Sequence, residues 1–561
     1  MIKQIFLLTI FLWSFSWAQS NPDLQKLAGD FWAWRAVQQP ATGDDIPRVE
    51  RPDGWTPDWS PKAVERYRQK YRDFRDKLDS LPRDNWQRAD SVDYLSLRAQ
   101  IERVNWELNV LRAPHRNPDF YVHQTFGAVY ELLLIHSPMT EQRMQNIIKR
   151  LNSFPKTIKA AKINLTEPVA QFSDIAWHNT GDVLITLERL FAALQNDKNM
   201  SKETRTDLLN ANDSAMDALV DFRNWLLKKR PKMSADFSCG REAYEYFLKN
   251  IALIPYTPEQ LLQMGRQEWE RAVAFETYEK QRNRELPEPA IFKSAAAQIE
   301  QGKKDEIAIR KFLEKNGIMS VPDWLNHYIN KLRPERILPL AHMGVVDDLT
   351  SETRLDEDAV SYIPKPSRKL SYFGLSRAID PRPLIIHEGV PGHYFQLAIS
   401  WKNPDLIRRH FVDSGANEGI GFYVEELMQQ FGLFDDRPKT REIIYNFMRL
   451  RALRVEVDIR LALGTFTIQQ AGEYLAKTVP MDKKTAIGEA GFFAYNPGQA
   501  ISYQIGKLQI YKFLSDAKIQ KGDQFSLREF HDYLMQNGNV PIALLRWERL
   551  GPRDEIGQFF E

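Results

Sequence analysis

Two histidines and a glutamate fall within seven residues at His387-Glu388-Gly389-Val390-Pro391-Gly392-His393. Imidazoles are common zinc ligands, and a carboxylate beside the first can accept a proton from water that the metal acidifies. In the H-E-x-x-H form of this signature, the histidines stand at i and i+4, about 40° apart on one helix face. Here they are six apart. On an unbroken helix that spacing turns the second imidazole by roughly 240° and lifts it by about 9 Å, beyond the reach of one ion. The helix must therefore break between them. Pro391 removes a backbone donor and clashes with the preceding turn, and Gly392 tolerates the dihedrals the extra residues need.

A catalytic zinc commonly takes three side chains and leaves a fourth position for water. Glu418 is the candidate third ligand. It stands 25 residues beyond His393, at the head of an expected helix through Asn417-Glu418-Gly419-Ile420-Gly421-Phe422-Tyr423-Val424-Glu425-Glu426-Leu427. The competing reading is a helix-start carboxylate near the positive end of the dipole. Glu425 lies two turns further, about 20° from Glu418, where it could accept the outer N–H of a ligand histidine. Glu426 is expected to be solvated. Gln396 could line the metal pocket or be an ordinary surface glutamine. His410 and His531 lack metal-type neighbours and read as structural. Tyr503, on a helix after Asn496-Pro497-Gly498, could donate its phenol proton to an oxyanion, although a tyrosine there also suits a core. Cys239 is the only cysteine, so no intramolecular disulfide is available, and it reads as a structural thiol. No G-x-S-x-G elbow supports serine chemistry.

These side chains need a scaffold, and the periodicity supplies helices. Ser60-Pro61 caps a run with Val64, Tyr67, Tyr71, Phe74 and Leu78 on one face. Val92 to Leu111, Glu141 to Leu151, Asp182 to Leu194 and Ala215 to Leu227 repeat the pattern, and Thr257-Pro258-Glu259-Gln260 forms a capping box. Between Gly344 and Pro383 turn residues accumulate and Lys369 to Leu375 partly alternates, which predicts a strand in a small sheet. Its edge could bind an extended peptide, or it could be an ordinary hairpin. The fold class expected is mainly α, a large helical two-lobed peptidase-like fold with a small β-sheet near the active-site helix. With a net charge of +2 over 561 residues, no nucleic-acid footprint is expected. Lys3, the apolar run Ile5 to Trp17 and the small residues Ser16 and Ala18 read as a signal peptide over 1–18. A helical scaffold over 19–237 and a catalytic region over 238–561 would follow as one continuous unit. The expected location is periplasmic or secreted, without stable membrane insertion after cleavage. No cysteine follows the cleavage site, so a lipid-anchored form is not expected.

Three motifs carry a family resemblance. His387-Glu388-x-x-Pro391-Gly392-His393-x-x-Gln396, Glu418-Gly419-x-x-x-Tyr423-x-x-Glu426 and Pro497-Gly498-Gln499-Ala500-x-x-Tyr503-x-x-Gly506 resemble successive motifs of the domain-of-unknown-function 885 family. That family is in turn similar to helical gluzincin-type zinc peptidases. The likeness covers about residues 238–550 and, weakly, the helical region before them. It implies His387, His393 and Glu418 as zinc ligands, Glu388 as general base and acid, and Tyr503 as oxyanion donor. The family's Glu-Gly-Trp-Ala-Leu-Tyr stretch is here Glu418-Gly419-Ile420-Gly421-Phe422-Tyr423, and its Val-Asp-Thr-Gly-Leu-His is Val457-Asp458-Ile459-Arg460-Leu461-Ala462. The expected function is an exported zinc-dependent metallopeptidase acting on short or unfolded peptides, as an oligopeptidase or carboxypeptidase. Arg382, Arg409 and Arg454 are candidates to hold a substrate carboxylate. A non-catalytic helical binding protein and a zinc hydrolase of other amides or esters are the alternatives.

Overall fold

The computed structural model describes residues 21–43, 49–197 and 200–560. The expected signal peptide, residues 1–18, lies outside them. The fold is mainly α, with one three-stranded sheet. Its helices begin where local chemistry satisfies their first free N–H groups. Ser60 Oγ accepts from the Ala63 amide at 3.3 Å, and the helix Pro61–Asp79 buries Val64, Phe74 and Leu78. Asp182 accepts from the Ile185 amide at 3.2 Å to open Val183–Leu194. Both arms of the Thr257 capping box form, at 2.9 and 3.3 Å, and the helix Pro258–Arg282 that follows packs along Pro438–Ala462. Each cap satisfies donors that would otherwise need water.

The chain's two expected regions share one interior. The main apolar cluster runs from Leu24 to Phe559 and draws on both. Polar ties cross the same division. Arg408 reaches Asp93 at 2.9 Å and Glu548 at 2.6 Å, and Gln100 Nε2 donates to the Val412 carbonyl at 3.1 Å.

The sheet comprises β1 (Tyr328–Leu332), β2 (Asp347–Asp348) and β3 (Ala359–Ile363), in the order β1-β3-β2. β1 runs parallel to β3 with Tyr328 opposite Ala359, and β2 is antiparallel with Asp347 opposite Ser361. The predicted strand over 369–375 is instead the approach to a helix, Tyr372–Ile379. Ser371 starts it by accepting from the Leu375 amide at 2.8 Å, and Tyr372 and Phe373 pack on Phe447. Seven residues of partial alternation do not separate the two periods. Among the described residues no helix is long and apolar enough to cross a membrane.

Two helices carry the distal site residues, Ser414–Gln430 with Glu418 and Ser502–Lys521 with Tyr503. They cross at glycines. A Cβ on Gly419 would lie 2.6 Å from the Gly506 Cα, and one on Gly506 would lie 1.9 Å from the Gly415 carbonyl oxygen. The crossing is pinned electrostatically. Lys507, fully buried, places Nζ 2.9 Å from Glu426 and 3.3 Å from Glu268, and Arg271 adds a 2.9 Å contact to Glu426. Glu426 is therefore not solvated as the sequence suggested. The helix it rides is covered on that side by Lys507 and Arg271, whose contribution from a distant helix no local pattern reveals.

Candidate metal centre

The break between the histidines is real and has two parts. Ile385–Gly389 forms a π-turn, closed by the Val390 amide donating to the Ile385 carbonyl at 2.9 Å. The chain then extends at Val390, passes a cis Val390–Pro391 bond, and starts a new helix at His393, running to Trp401. Gly392 sits so tightly under the π-turn that a Cβ would fall 1.8 Å from the His387 carbonyl oxygen. A side chain there would force the two segments apart. With none, the rings of His387 and His393 meet edge-on, centroids 4.7 Å apart and planes at 77°.

Glu418 reaches this pair from the facing helix. Asp413 caps that helix by accepting from the Ala416 amide at 2.8 Å, which fixes Glu418 in its second turn. Its Oε2 lies 3.3 Å from Nε2 of His387 and 3.3 Å from Nε2 of His393. All three side chains are buried, and Glu418 Oε2 has no hydrogen-bond partner. The distances can be tested against an ion. Bonds of about 2.0–2.1 Å arranged tetrahedrally separate their donor atoms by about 3.3 Å, whereas a charge-assisted N–H···O contact is about 2.7–2.9 Å. The donor set of two imidazoles and one carboxylate fits zinc in type and spacing.

The surroundings support the same orientation. Nδ1 of His387 is 2.7 Å from Glu425 Oε1, the outer carboxylate expected from the helical spacing. Arg451 places Nη2 3.0 Å from that same oxygen. Burial alone would lower the His387 pKa, but Glu418 and Glu425 outweigh it and lift it to about 10. Glu418 goes the other way. Burial would raise its pKa, and the two imidazoles hold it well below the usual carboxylate range. Glu388 lies 3.9 Å from His393 Nε2, its Oε2 unpartnered, and its pKa is raised chiefly by burial, with Asp347 and Glu418 adding to the shift. Asp347 belongs to β2, so the sheet stands against this side of the site. Gly389 beside Glu388 leaves no room for a side chain, since a Cβ would be 2.4 Å from the Tyr328 ring of β1.

Tyr503 is brought to the same place. Its ring stacks beside His387 at 6.3 Å between centroids and 15° between planes. The loop leading to it is held by Asp458, a fully buried carboxylate that accepts from the Gly498 amide at 2.8 Å, the Ala500 amide at 2.6 Å and the Tyr244 hydroxyl at 3.2 Å. Sequence reasoning quoted Asp458 without a role. Its signal was an acidic residue with the apolar Val455, Leu461 and Ala462 one turn away on the same helix face, which a buried position tolerates only with partners. Gln396 is buried, not superficial, and accepts from Asn417 Nδ2 at 3.2 Å.

Other candidates stand elsewhere. His531 lies between the Tyr423 hydroxyl and the Ile318 carbonyl, at 2.8 Å each, and His410 is 3.5 Å from Glu352. The three arginines proposed for a substrate carboxylate are already engaged: Arg382 with Asp380 and Asp436 at 2.7 and 2.8 Å, Arg409 with Glu352 at 2.9 Å, and Arg454 with Glu489 at 2.5 Å. Arg454 instead lies 4.8 Å over the Tyr503 ring. Cys239 is partly buried, and burial pushes its thiol up to about 12.

Residues 40–310 and 376–548 match the model of a family described as bacterial protein of unknown function, DUF885. The match takes in the helical region before residue 238, where the motifs gave only a weak likeness, and omits the segment that holds the sheet. No curated protein matches the chain. Two solved structures share the fold. A candidate lipoprotein of unknown function from Shewanella oneidensis aligns with a TM-score of 0.71 at 17% identity, covering 94% of this chain and 99% of that one. A candidate lipoprotein from Colwellia psychrerythraea aligns at 0.75 and 16%, covering 94% and 98%.

Proposed function

This chain belongs to the DUF885 family, and we propose from that premise that it is an exported zinc-dependent hydrolase of peptide bonds. The observation that carries the reading is the pair of 3.3 Å separations between Glu418 Oε2 and the two imidazole nitrogens, around an oxygen with no hydrogen-bond partner. The resemblance of the three motifs to gluzincin-type peptidases points the same way. Export rests on the apolar leader, and it accords with the description of both structural neighbours as candidate lipoproteins.

In this reading His387, His393 and Glu418 hold the zinc ion. When bound, the ion supplies Lewis-acid polarisation of the scissile carbonyl and acidifies water. Glu388 removes a proton from the attacking water at its unpartnered Oε2 and delivers it to the departing amine nitrogen. Its raised pKa suits a group that must both take and release that proton. Tyr503 donates its phenol O–H to the oxygen that gains charge as the carbonyl is attacked. Glu425 fixes the ring of His387 through Nδ1, and Arg451 fixes Glu425. Substrates are short or unfolded peptides, and the β2 edge beside Asp347 is a place for an extended backbone to add hydrogen bonds.

The test combines metal analysis with cleavage of a mixed peptide library read by mass. The purified protein is expected to hold one zinc per chain and to cleave peptides, with cleavage lost in a chelator. Glu388→Gln is expected to keep its zinc and lose about 10²–10⁴-fold in kcat. A wild-type protein that takes up no zinc would sink the proposal, and one that holds zinc but cleaves no peptide would restrict it to other amides, esters or binding.

A further inference from the structure

A cavity of about 660 Å³ lies away from the proposed metal centre, and none of His387, His393 or Glu418 lines it. Its position is nevertheless informative. Leu397, Ser414 and Gln499 are on its wall, and each is four residues from a site residue: His393, Glu418 and Tyr503 in turn. Four residues of helix span about 6 Å, which applies to Leu397 and Ser414, and Gln499 lies in the turn that leads into the helix of Tyr503, so the cavity adjoins the proposed site along three separate chain segments. The Ser414 hydroxyl donates to Gln499 Oε1 at 3.0 Å, closing two of these segments together where they face the cavity.

We propose that this chamber receives uncharged, apolar stretches of a short peptide, with large aliphatic or aromatic side chains, on one side of the bond to be cut. It rests on the hydrolase reading only for the fate of the bound peptide. Three observations select this ligand. First, the volume lies in the range of about 300–1,000 Å³ that encloses most of a small ligand. Second, the wall is rich in indole faces, among them Trp32, Trp59 and Trp401, while the guanidinium groups of Arg35 and Arg409 on it are matched by Glu107 at 2.8 Å and Glu352 at 2.9 Å. Apolar contact is offered there, and these two cations are already neutralised against a free carboxylate.

Third, buried polar atoms without hydrogen-bond partners belong to residues of the wall. His123, buried in a π-turn over His123–Gly127, has no hydrogen-bond partner at either ring nitrogen. Asp119 Oδ2 approaches its Nε2 only to 3.4 Å and is itself without a hydrogen bond. Trp32 Nε1 is also unpartnered. Buried polar groups are usually satisfied, and an imidazole N–H turned toward the chamber matches the C=O of a peptide group.

The test measures binding directly. Zinc-loaded Glu388→Gln protein, which holds peptide without cutting it, is titrated with blocked tetrapeptides of equal length, one of Phe and Leu, one of Ser and Asn, following tryptophan fluorescence and heat. The Phe/Leu peptide is expected to bind more than about 10-fold tighter, since each buried side chain contributes well over 1.4 kcal/mol. In the same background Ala36→Trp, which fills the chamber from a partly buried wall position, is expected to weaken that peptide by about 10-fold or more. His123→Leu, of similar size, is expected to cost about 3- to 10-fold, the worth of one peptide hydrogen bond. Equal affinity for the two peptides, or none for either, would overturn the proposal. So would unchanged affinity in both variants, and if Ala36→Trp does not fold, His123→Leu decides alone. Wild-type cleavage with kcat/KM unaffected by chamber variants would leave the hydrolase standing and the chamber refuted. Selective binding without any cleavage would do the reverse.

Discussion

Two clusters among the described residues bring histidine and carboxylate groups together closely enough to hold an ion, and only one of them is short of a cation. At His136, Asp348 and Glu357 the imidazole Nδ1 lies 3.1 Å from Asp348. Arg354 fills the space between the carboxylates, with contacts of 2.7 Å to Asp348 and 3.0 Å to Glu357. Against the upward push of burial, His136 and Arg354 hold the Asp348 carboxyl well below its usual range. At His387, His393 and Glu418 no guanidinium or ammonium enters. Arg451 stops at Glu425, one shell out, and Lys507 stops at Glu426. Proximity of ligand-type residues is thus common to both, and the missing internal cation distinguishes the site proposed to hold zinc.

That difference can be broken from either side. Glu418→Ala is expected to lower zinc affinity by more than about 100-fold, since outer partners alone are worth 10–100-fold, while Asp348→Asn leaves zinc content unchanged. Chelator competition reads both. Asp348→Asn is instead expected to lower stability by about 1–3 kcal/mol in urea unfolding, because it removes one of the two charges that face Arg354 and leaves one acceptor oxygen where two now serve Arg354, the His136 amide and the Thr350 amide. If Asp348→Asn lost zinc and Glu418→Ala kept it, the assignment of the two clusters would be reversed.

A smaller effect tests the outer layer. Glu425→Gln keeps the shape but gives up the charge that faces both His387 Nδ1 and Arg451. Zinc affinity is expected to fall by about 10-fold to 100-fold, with no comparable change for Glu426→Gln, whose carboxylate pairs with Lys507 and Arg271 away from the ligands. Equal losses in the two variants would mean that Glu425 acts through general packing and not through His387.

How far such a site is legible in the sequence depends on whether its geometry is local. The need for a break between His387 and His393, and the same-face placement of Glu418 and Glu425, follow from helical spacing. The caps at Ser60 and Thr257 follow from residue type at the helix start. What the sequence does not carry is the partner from elsewhere. Glu426 looks exposed until Lys507 and Arg271 arrive from other helices, Arg454 looks available until Glu489 claims it, and Asp458 gains its role from a loop some forty residues later. Lys369 to Leu375 fails differently. Its partial alternation suits either period, and the helix is chosen by Ser371 at its start and by aromatic packing on Phe447, which is set in another helix.

Asp413 completes the comparison of buried carboxylates. It caps the helix that carries Glu418, and burial, which raises its pKa, is opposed by the backbone N–H groups it receives and by the charge of Arg103, without the guanidinium contact that Arg354 gives Asp348. Burial therefore prevails, and its pKa rises from 3.8 to about 7. In the folded chain the group holds a proton that it releases on unfolding at any pH between those values. Its contribution to stability is thus complete below pH 3.8 and lost as pH rises through about 7. Asp413→Asn retains the cap, since asparagine serves at that position as well as aspartate, but cannot titrate. Measured by urea unfolding, the variant's stability relative to the wild type is expected to increase as pH goes from about 5 to about 8. A relative stability that stays flat over that interval, or falls, would mean that the backbone donors at the head of the Glu418 helix and the charge of Arg103 outweigh burial, and that Asp413 is ionised.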